Sequence, residues 1–301
     1  MTKYHVPVML NECLDGLNIK ADGIYIDVTF GGGGHSRAIL EKLGPKGKLI
    51  AFDQDEDAKR NLPNDARLIF IDQNFEFVKN HVAYQGLLPV DGLLADLGVS
   101  SHQFDVDERG FSYRFDEAEL DMRMDRNAGK SAAELLNTAS ESELADIFYY
   151  YGELNKAKSI AKQIITYRNG KNILTVADLK SALQSFAPKF KDYKFWSQVF
   201  QALRIEVNRE LEVLKSLLNQ CADVIKPGGR LVIMSYHSLE DRLVKNYINS
   251  GNFKGDLEKD IYGNANTPFK AIQKKATTAS NKELEENTRS RSAKLRIAER
   301  T

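Results

Sequence analysis

The chain has 301 residues, 42% of them hydrophobic, with 42 Lys and Arg balanced by 42 Asp and Glu, and two cysteines, Cys13 and Cys221. That length allows one large domain or two smaller ones around a sizeable core, and two distant cysteines exclude a disulfide framework and a cysteine-built zinc site. No stretch reaches the ~20 apolar residues of a membrane span, and the N-terminus has no charged leader before an apolar run, so a cytoplasmic protein is expected.

Ile24–Phe30, Lys48–Asp53, Arg67–Asp72 and Val90–Leu97 read as strands, separated by helices at Ser36–Leu43, Asp55–Asn61 and Phe75–Tyr84. Short apolar runs alternating with helices indicate a parallel sheet covered on both faces. From about Ser131 to Phe200 the pattern changes to helices alone: Ala132–Leu136, Glu141–Tyr151, Lys156–Arg168 and Val176–Phe186. Ser140 followed by Glu143 has the form of a capping box. Gln198–Ile225 reads as one long helix, apolar at Val199, Leu203, Val207, Leu211, Leu214 and Leu218, and ended by Pro227-Gly228-Gly229. Then come a strand at Arg230–Ser235, a helix at Leu239–Asn249 and a pair of strands at Phe269–Lys274 and Lys294–Glu299, with 275–292 expected to be loop. The fold class is α/β, a Rossmann-like sheet interrupted by an all-helical insertion. The expected domain bounds are 1–128, 129–200 and 201–301.

Charge is uneven along this frame. Residues 51–150 carry 21 acids and 9 bases, residues 151–217 carry 12 bases and 6 acids, and residues 242–301 carry 13 bases and 7 acids. Such blocks suit a polyanion-binding face beside a separate site for a cationic ligand; they equally suit charges spread over a solvated surface.

The first strand runs into Gly31-Gly32-Gly33-Gly34-His35-Ser36. Glycines between a strand and a helix let the backbone turn sharply and approach a ligand. The spacing is also a loose form of the dinucleotide fingerprint. Asp53 ends the second strand, where a carboxylate can accept from both hydroxyls of a ribose. Three features favour S-adenosylmethionine over NAD. Acidic surroundings suit a sulfonium and an ammonium better than a pyrophosphate. Asp72-Gln73-Asn74-Phe75 offers a polar group and an apolar face for adenine, and Pro227-Gly228-Gly229 precedes a late strand. Asp96 ends the fourth strand, which puts it at the reaction centre of an open α/β sheet.

Several segments then carry a specific resemblance. They are HVPVML at 5–10, TFGGGGHS at 29–36, DLGVSS at 96–101, Gln103, RGFS at 109–112, LDMRM at 120–124, ALRIEVNREL at 202–211, SYHSLEDR at 235–242 and RSRSAKLR at 289–296. In this order they resemble the RsmH (MraW) family, bacterial 16S ribosomal RNA (cytosine-1402-N4)-methyltransferases. The resemblance implies a class I methyltransferase sheet of parallel strands with an antiparallel C-terminal strand. It implies that Gly33, Gly34, His35, Asp53, Phe75, Asp96 and Gln103 bind S-adenosylmethionine, and that 16S rRNA in the small ribosomal subunit is the partner. His102 departs from a proline expected in many relatives.

Methyl transfer to an exocyclic amine needs in-line alignment and acceptors for the amine protons. Asp96 is suited to accept from N4 or to hold the cofactor's amino group; His237 is suited to accept a proton or contact the base, and is equally suited to a structural hydrogen bond. The position after the fourth strand has no stacking aromatic, so Phe111, Tyr113 or Tyr236 is expected to hold the ring. Arg204, Asn208, Arg209, Tyr236, Arg242, Arg289, Arg291 and Lys294 are the expected RNA contacts. Lys189, Phe190, Lys191, Tyr193, Lys194, Phe195 and Trp196 interleave bases and rings as single-strand binders do; Phe195 and Trp196 fit equally as core anchors. No metal site is expected. The sequence does not give the oligomeric state; a homodimer would enlarge the basic surface.

Overall fold

The computed structural model describes residues 7–99, 109–190, 192–259, 262 and 267–301. The chain forms two compact units, Met1–Gly98 with Leu211–Thr301, and Val99–Glu210. The second is wider than the 129–200 insertion, because Phe111, Ala118, Leu120 and Met122 bury in the same core as its helices.

The first unit holds a seven-stranded sheet. Its strands are Ile24–Asp27 (β1), Lys48–Phe52 (β2), Leu68–Ile71 (β3), Val90–Asp96 (β4), Ile225–Ser235 (β5), Phe269–Ala271 (β6) and Lys294–Arg300 (β7), in the order β3-β2-β1-β4-β5-β7-β6. Strands β1 to β5 are parallel, and β7 runs antiparallel to both neighbours. This is the expected sheet of parallel strands with antiparallel pairing at its C-terminal strand. Alternation sends successive side chains to opposite faces. Ile26, Ile50, Leu93, Leu231 and Ile233 pack on one side with helices Val78–Tyr84 and Glu210–Val224. Tyr25, Leu49, Leu94, Val232 and Met234 pack on the other with Leu10–Leu17 (α1) and Gly34–Lys42 (α2). The order reverses at β1, between β2 and β4, so the carboxyl ends of these three strands frame the switch-point crevice.

The expected long helix is two. Asp192–Asn208 stops at Arg209, whose φ of 50° is left-handed, and Glu210–Val224 follows. The sheet resumes directly at Ile225, and its pairing with β4 skips from Ile225 to Arg230 around the Pro227–Gly229 turn. Residues 275–292, expected as loop, contain a helix at Asn281–Glu286 capped by Ser280 and a 3-10 turn at Thr288–Ser292.

The second unit is helical. Its helices at Ala132–Thr138, Glu141–Tyr150 and Val176–Leu183 each start on a capping box, Ser131 with Glu134, Ser140 with Glu143, and Thr175 with Asp178. These boxes satisfy amide donors that a helix start leaves open. Among the described residues no helix is long and apolar enough to cross a membrane.

Candidate active site

The site is built from the residues that end β1, β2 and β4. Asp27 is buried at 1% exposure. Its Oδ2 accepts from Ser36 Oγ at 2.7 Å, and its Oδ1 accepts from the Thr29 amide at 3.1 Å and the Thr29 hydroxyl at 3.4 Å. Thr29 Oγ1 in turn accepts from the Asp96 amide at 2.7 Å, which ties the end of β1 to the end of β4. Between them the glycines turn the chain. Gly33 caps helix α2 at a φ of 73°, a conformation that costs glycine nothing. A Cβ on Gly34 would collide with the Pro7 ring at 2.3 Å, whereas one on Gly32 would meet nothing within 4 Å, so the outer side of the bend is open.

Asp53 follows β2. Its Oδ2 accepts from the Gly31 amide at 2.7 Å and its Oδ1 from the Asp55 amide at 2.9 Å. Burial pushes its carboxyl up to about 6, although both amides act to lower it. Each oxygen keeps lone-pair capacity beyond these bonds.

Asp96 ends β4. Its Oδ1 accepts from the Tyr236 hydroxyl at 2.7 Å, and its Oδ2 lies 3.8 Å from His35 Nδ1. Burial pushes this carboxyl, too, up to about 6, against the lowering effect of His35 and Tyr236. Burial and the Asp96 charge raise the Tyr236 phenol above its ordinary value, so the hydroxyl stays a donor. Helix Ser238–Ser250 starts after His237. Its buried Glu240 accepts from the Tyr236 amide at 2.9 Å and lies 3.2 Å from His237 Nε2.

A family model described as the MraW methylase family matches residues 2–301. The chain belongs to the MraW methylase family. It is 53% identical over 298 residues to a protein of Parabacteroides distasonis named ribosomal RNA small subunit methyltransferase H, covering 99% of this chain and 97% of that one. It is 54% identical over 299 residues to a protein of the same name from Cytophaga hutchinsonii, covering 99% of each. Among solved structures, an rRNA methylase from Streptococcus thermophilus aligns with 97% of this chain and 93% of its own, at 14% identity and a TM-score of 0.41. SMU.1697c from Streptococcus mutans, solved in complex with SAH, aligns with 99% of this chain and 100% of its own, at 14% identity and a TM-score of 0.45.

In this MraW-family chain Gly33, Gly34, His35, Asp53 and Asp96 come together at the strand ends. Phe75 opens a 3-10 turn after Asn74 and is partly buried against the sheet core. Asn74 Nδ2 donates to Gln54 Oε1 at 2.8 Å, linking the ends of β3 and β2. Gln103, with His102, lies outside the described residues. The expected RNA contacts divide. Arg204 is held by Glu210 in a two-armed bond of 2.7 and 2.9 Å. Asn208 is used at both amide ends: Oδ1 accepts from the Met124 amide, and Nδ2 donates to the Met122 and Arg204 carbonyls. Lys294 Nζ lies 3.3 Å from Asp241, which also accepts from Arg296 at 2.7 Å. Arg209, Arg242 and Arg291 are exposed, and Arg289 is partly so.

Of the three rings expected to hold a base, Phe111 is buried in the helical core and Tyr113 packs edge-on against Phe200. Tyr236 is the one bonded to a strand-end carboxylate. Phe195 and Trp196 are core residues, while Phe190 and Tyr193 are exposed; Lys191 lies outside the described residues. Sequence reasoning had not given Asp27, Thr29, Ser36 or Glu240 a role. Glu240 carried a signal: an acid three residues after the residue that caps a helix commonly reaches back to a backbone amide.

Proposed function

We propose that this chain transfers a methyl group from S-adenosylmethionine to N4 of cytosine 1402 in 16S rRNA of the small ribosomal subunit, working in the cytoplasm. The observation that carries the reading is the pair of partly buried carboxylates, Asp53 and Asp96, beside an open glycine bend at the sheet's switch point. The named relatives support the RNA class, and the resemblance of the motifs supports the base and its atom.

The residues fit the cofactor. It presents a ribose diol and two cationic groups, and the strand ends present carboxylates raised by burial, which gain from cationic or donor partners. Asp53 accepts from the ribose hydroxyls, and Phe75 with Asn74 borders the adenine. Gly33, Gly34 and His35 bring backbone close to the ligand, with Gln103 completing the set. When bound, the cofactor supplies an electrophilic methyl on a sulfonium.

The chain's own groups do the rest. Asp96 accepts from the N4 amine, which turns the nitrogen lone pair toward the methyl and takes up the proton released. Tyr236 fixes the other oxygen of Asp96 and borders the base. His237, with Nε2 3.2 Å from Glu240, is the second group able to meet the base. Arg209, Arg242, Arg289, Arg291 and Lys294 meet phosphates, which position the RNA without reading its sequence. Arg204 and Asn208 act one step back, by shaping the helix end that presents Arg209. The helical insertion, with Phe190 and Tyr193 exposed among lysines, recognises the substrate.

The test is incorporation of labelled methyl into small subunits from a strain lacking the gene, with the modified nucleotide mapped by mass spectrometry. Label at N4 of cytosine 1402 is expected. Label elsewhere overturns the target, and no label on any subunit or rRNA form overturns the activity.

A further inference from the structure

Asp96 meets a second ring besides Tyr236. His35 is 6% exposed, and its Nε2 lies 3.2 Å from the Val8 carbonyl oxygen. A carbonyl only accepts, so Nε2 carries a hydrogen. The other ring nitrogen, Nδ1, lies 3.8 Å from Asp96 Oδ2. A bare Nδ1 would set its lone pair against a carboxylate oxygen in a region with little water, which is repulsive. One proton on either partner removes the conflict, as imidazolium beside carboxylate or as imidazole beside carboxylic acid. Oδ1 of Asp96 is already taken by the Tyr236 hydroxyl. Among the described residues Oδ2 accepts no bond of this kind and faces His35, which leaves its lone pairs for an incoming amine.

The backbone that fixes the ring is itself held. Pro7 sits against Gly34, and the Met9 amide donates to Glu283 Oε1 at 2.6 Å. The other groups acting on Asp96 are Asp27 at the end of β1, Glu240 and the Cys13 thiol on α1. The two acids favour its protonated form, and His35 opposes them together with the Tyr236 hydroxyl.

We propose that His35 is a positioning residue for methyl transfer, which stands protonated beside Asp96 and so keeps Oδ2 anionic and aimed until the substrate amine arrives. This rests on the methyltransferase reading above. The sulfur–carbon bond breaks with its electron pair left on sulfur, giving a neutral thioether. The N4 lone pair forms the new carbon–nitrogen bond, and one N4 proton passes to Asp96 Oδ2. The positive charge lost from sulfur balances the negative charge lost from Asp96, and His35 keeps its proton throughout.

The first test is the pH profile of single-turnover methyl transfer by the wild type and by His35→Gln, which still donates to Val8 but carries no charge. The wild-type rate falls on the acid side as Asp96 takes up a proton. In His35→Gln that limb moves up by about 1–3 pH units relative to the variant's own plateau, whatever the height of that plateau. An unmoved limb, or an equal loss at every pH, overturns the proposal. The second test needs no turnover: the nitrogen chemical shifts of the His35 ring are followed against pH in the wild type and in Asp96→Asn. On the acid limb the wild-type ring carries hydrogen on both nitrogens and the Asp96→Asn ring on Nε2 alone; the same ring state in both overturns the proposal. A wild type that transfers no methyl at any pH overturns the methyltransferase reading instead, and the ring spectrum still decides whether His35 stands protonated beside Asp96.

Discussion

Strand β4 carries an aspartate near each end, and the fold treats them in opposite ways. Near its start, Asp91 accepts from the Ile24 amide at 3.1 Å and lies 2.7 Å from Lys226 Nζ and 3.6 Å from Lys20 Nζ. Burial alone would raise its carboxyl, but Lys226 and the Ile24 amide outweigh that and hold it below the usual range. At the other end, Asp96 has a phenol and a more distant imidazole, and burial wins. A carboxylate that holds a fold together gathers cations and amides. One kept short of them retains the capacity to receive a ligand's protons and charge.

The largest way to break this contrast is Asp96→Asn. It is expected to lower methyl transfer at least ~100-fold while Asp91→Asn leaves it unchanged, measured as single-turnover rates on small subunits. Next, Asp53→Ala is expected to weaken S-adenosylmethionine binding by about 10–100-fold, read by calorimetry, since it removes an acceptor made strong by its charge. Stability should run the other way. Asp91→Asn is expected to cost about 1–3 kcal/mol in urea unfolding at pH 7, because it leaves Lys226 beside a neutral group.

Asp96→Asn is expected to stabilise at pH 7, by up to about 2–3 kcal/mol. The sign follows from the folded carboxyl sitting near 6, above its unfolded value. Its contribution is complete below about pH 4 and lost as pH rises through 6. The stabilisation by Asp96→Asn should therefore shrink toward pH 4 in parallel unfolding curves. Asp91, held low, behaves oppositely: its contribution is present above about pH 4 and lost as pH falls through its folded value. The smallest effect is Ser140→Ala in the insertion, about 1 kcal/mol from a lost cap, with binding and rate unchanged.

Much of the sheet was legible because buried parallel strands are continuous apolar runs, and β1, β2 and β4 stand between clear helices. The capping box at Ser140 and Glu143 was legible for the same local reason. The break at Arg209 was not: the apolar spacing runs unbroken from Val199 to Leu218, and no glycine or proline marks the left-handed residue. The helix at Asn281–Glu286 was hidden too, because it has no apolar face of its own and buries none of its residues. The site's glycines and strand-end acids could be placed from the alternation of elements. Arg204 and Asn208 look like RNA-facing groups by type; that their side chains are occupied by Glu210, Met122 and Met124 depends on contacts that residue type does not encode. Phe111 likewise gives no sign in sequence that its ring is inside the helical core.

The bond from the Met9 amide to Glu283 joins positions near opposite ends of the chain. During synthesis Val8 and Met9 leave the ribosome long before Glu283, which lies 274 residues beyond Met9. The peptide that orients His35 thus gains this anchor only after residue 283 has been made. A nascent chain stopped before Glu283 carries the glycine bend, Asp53 and Asp96, yet lacks the side chain that holds the Met9 amide.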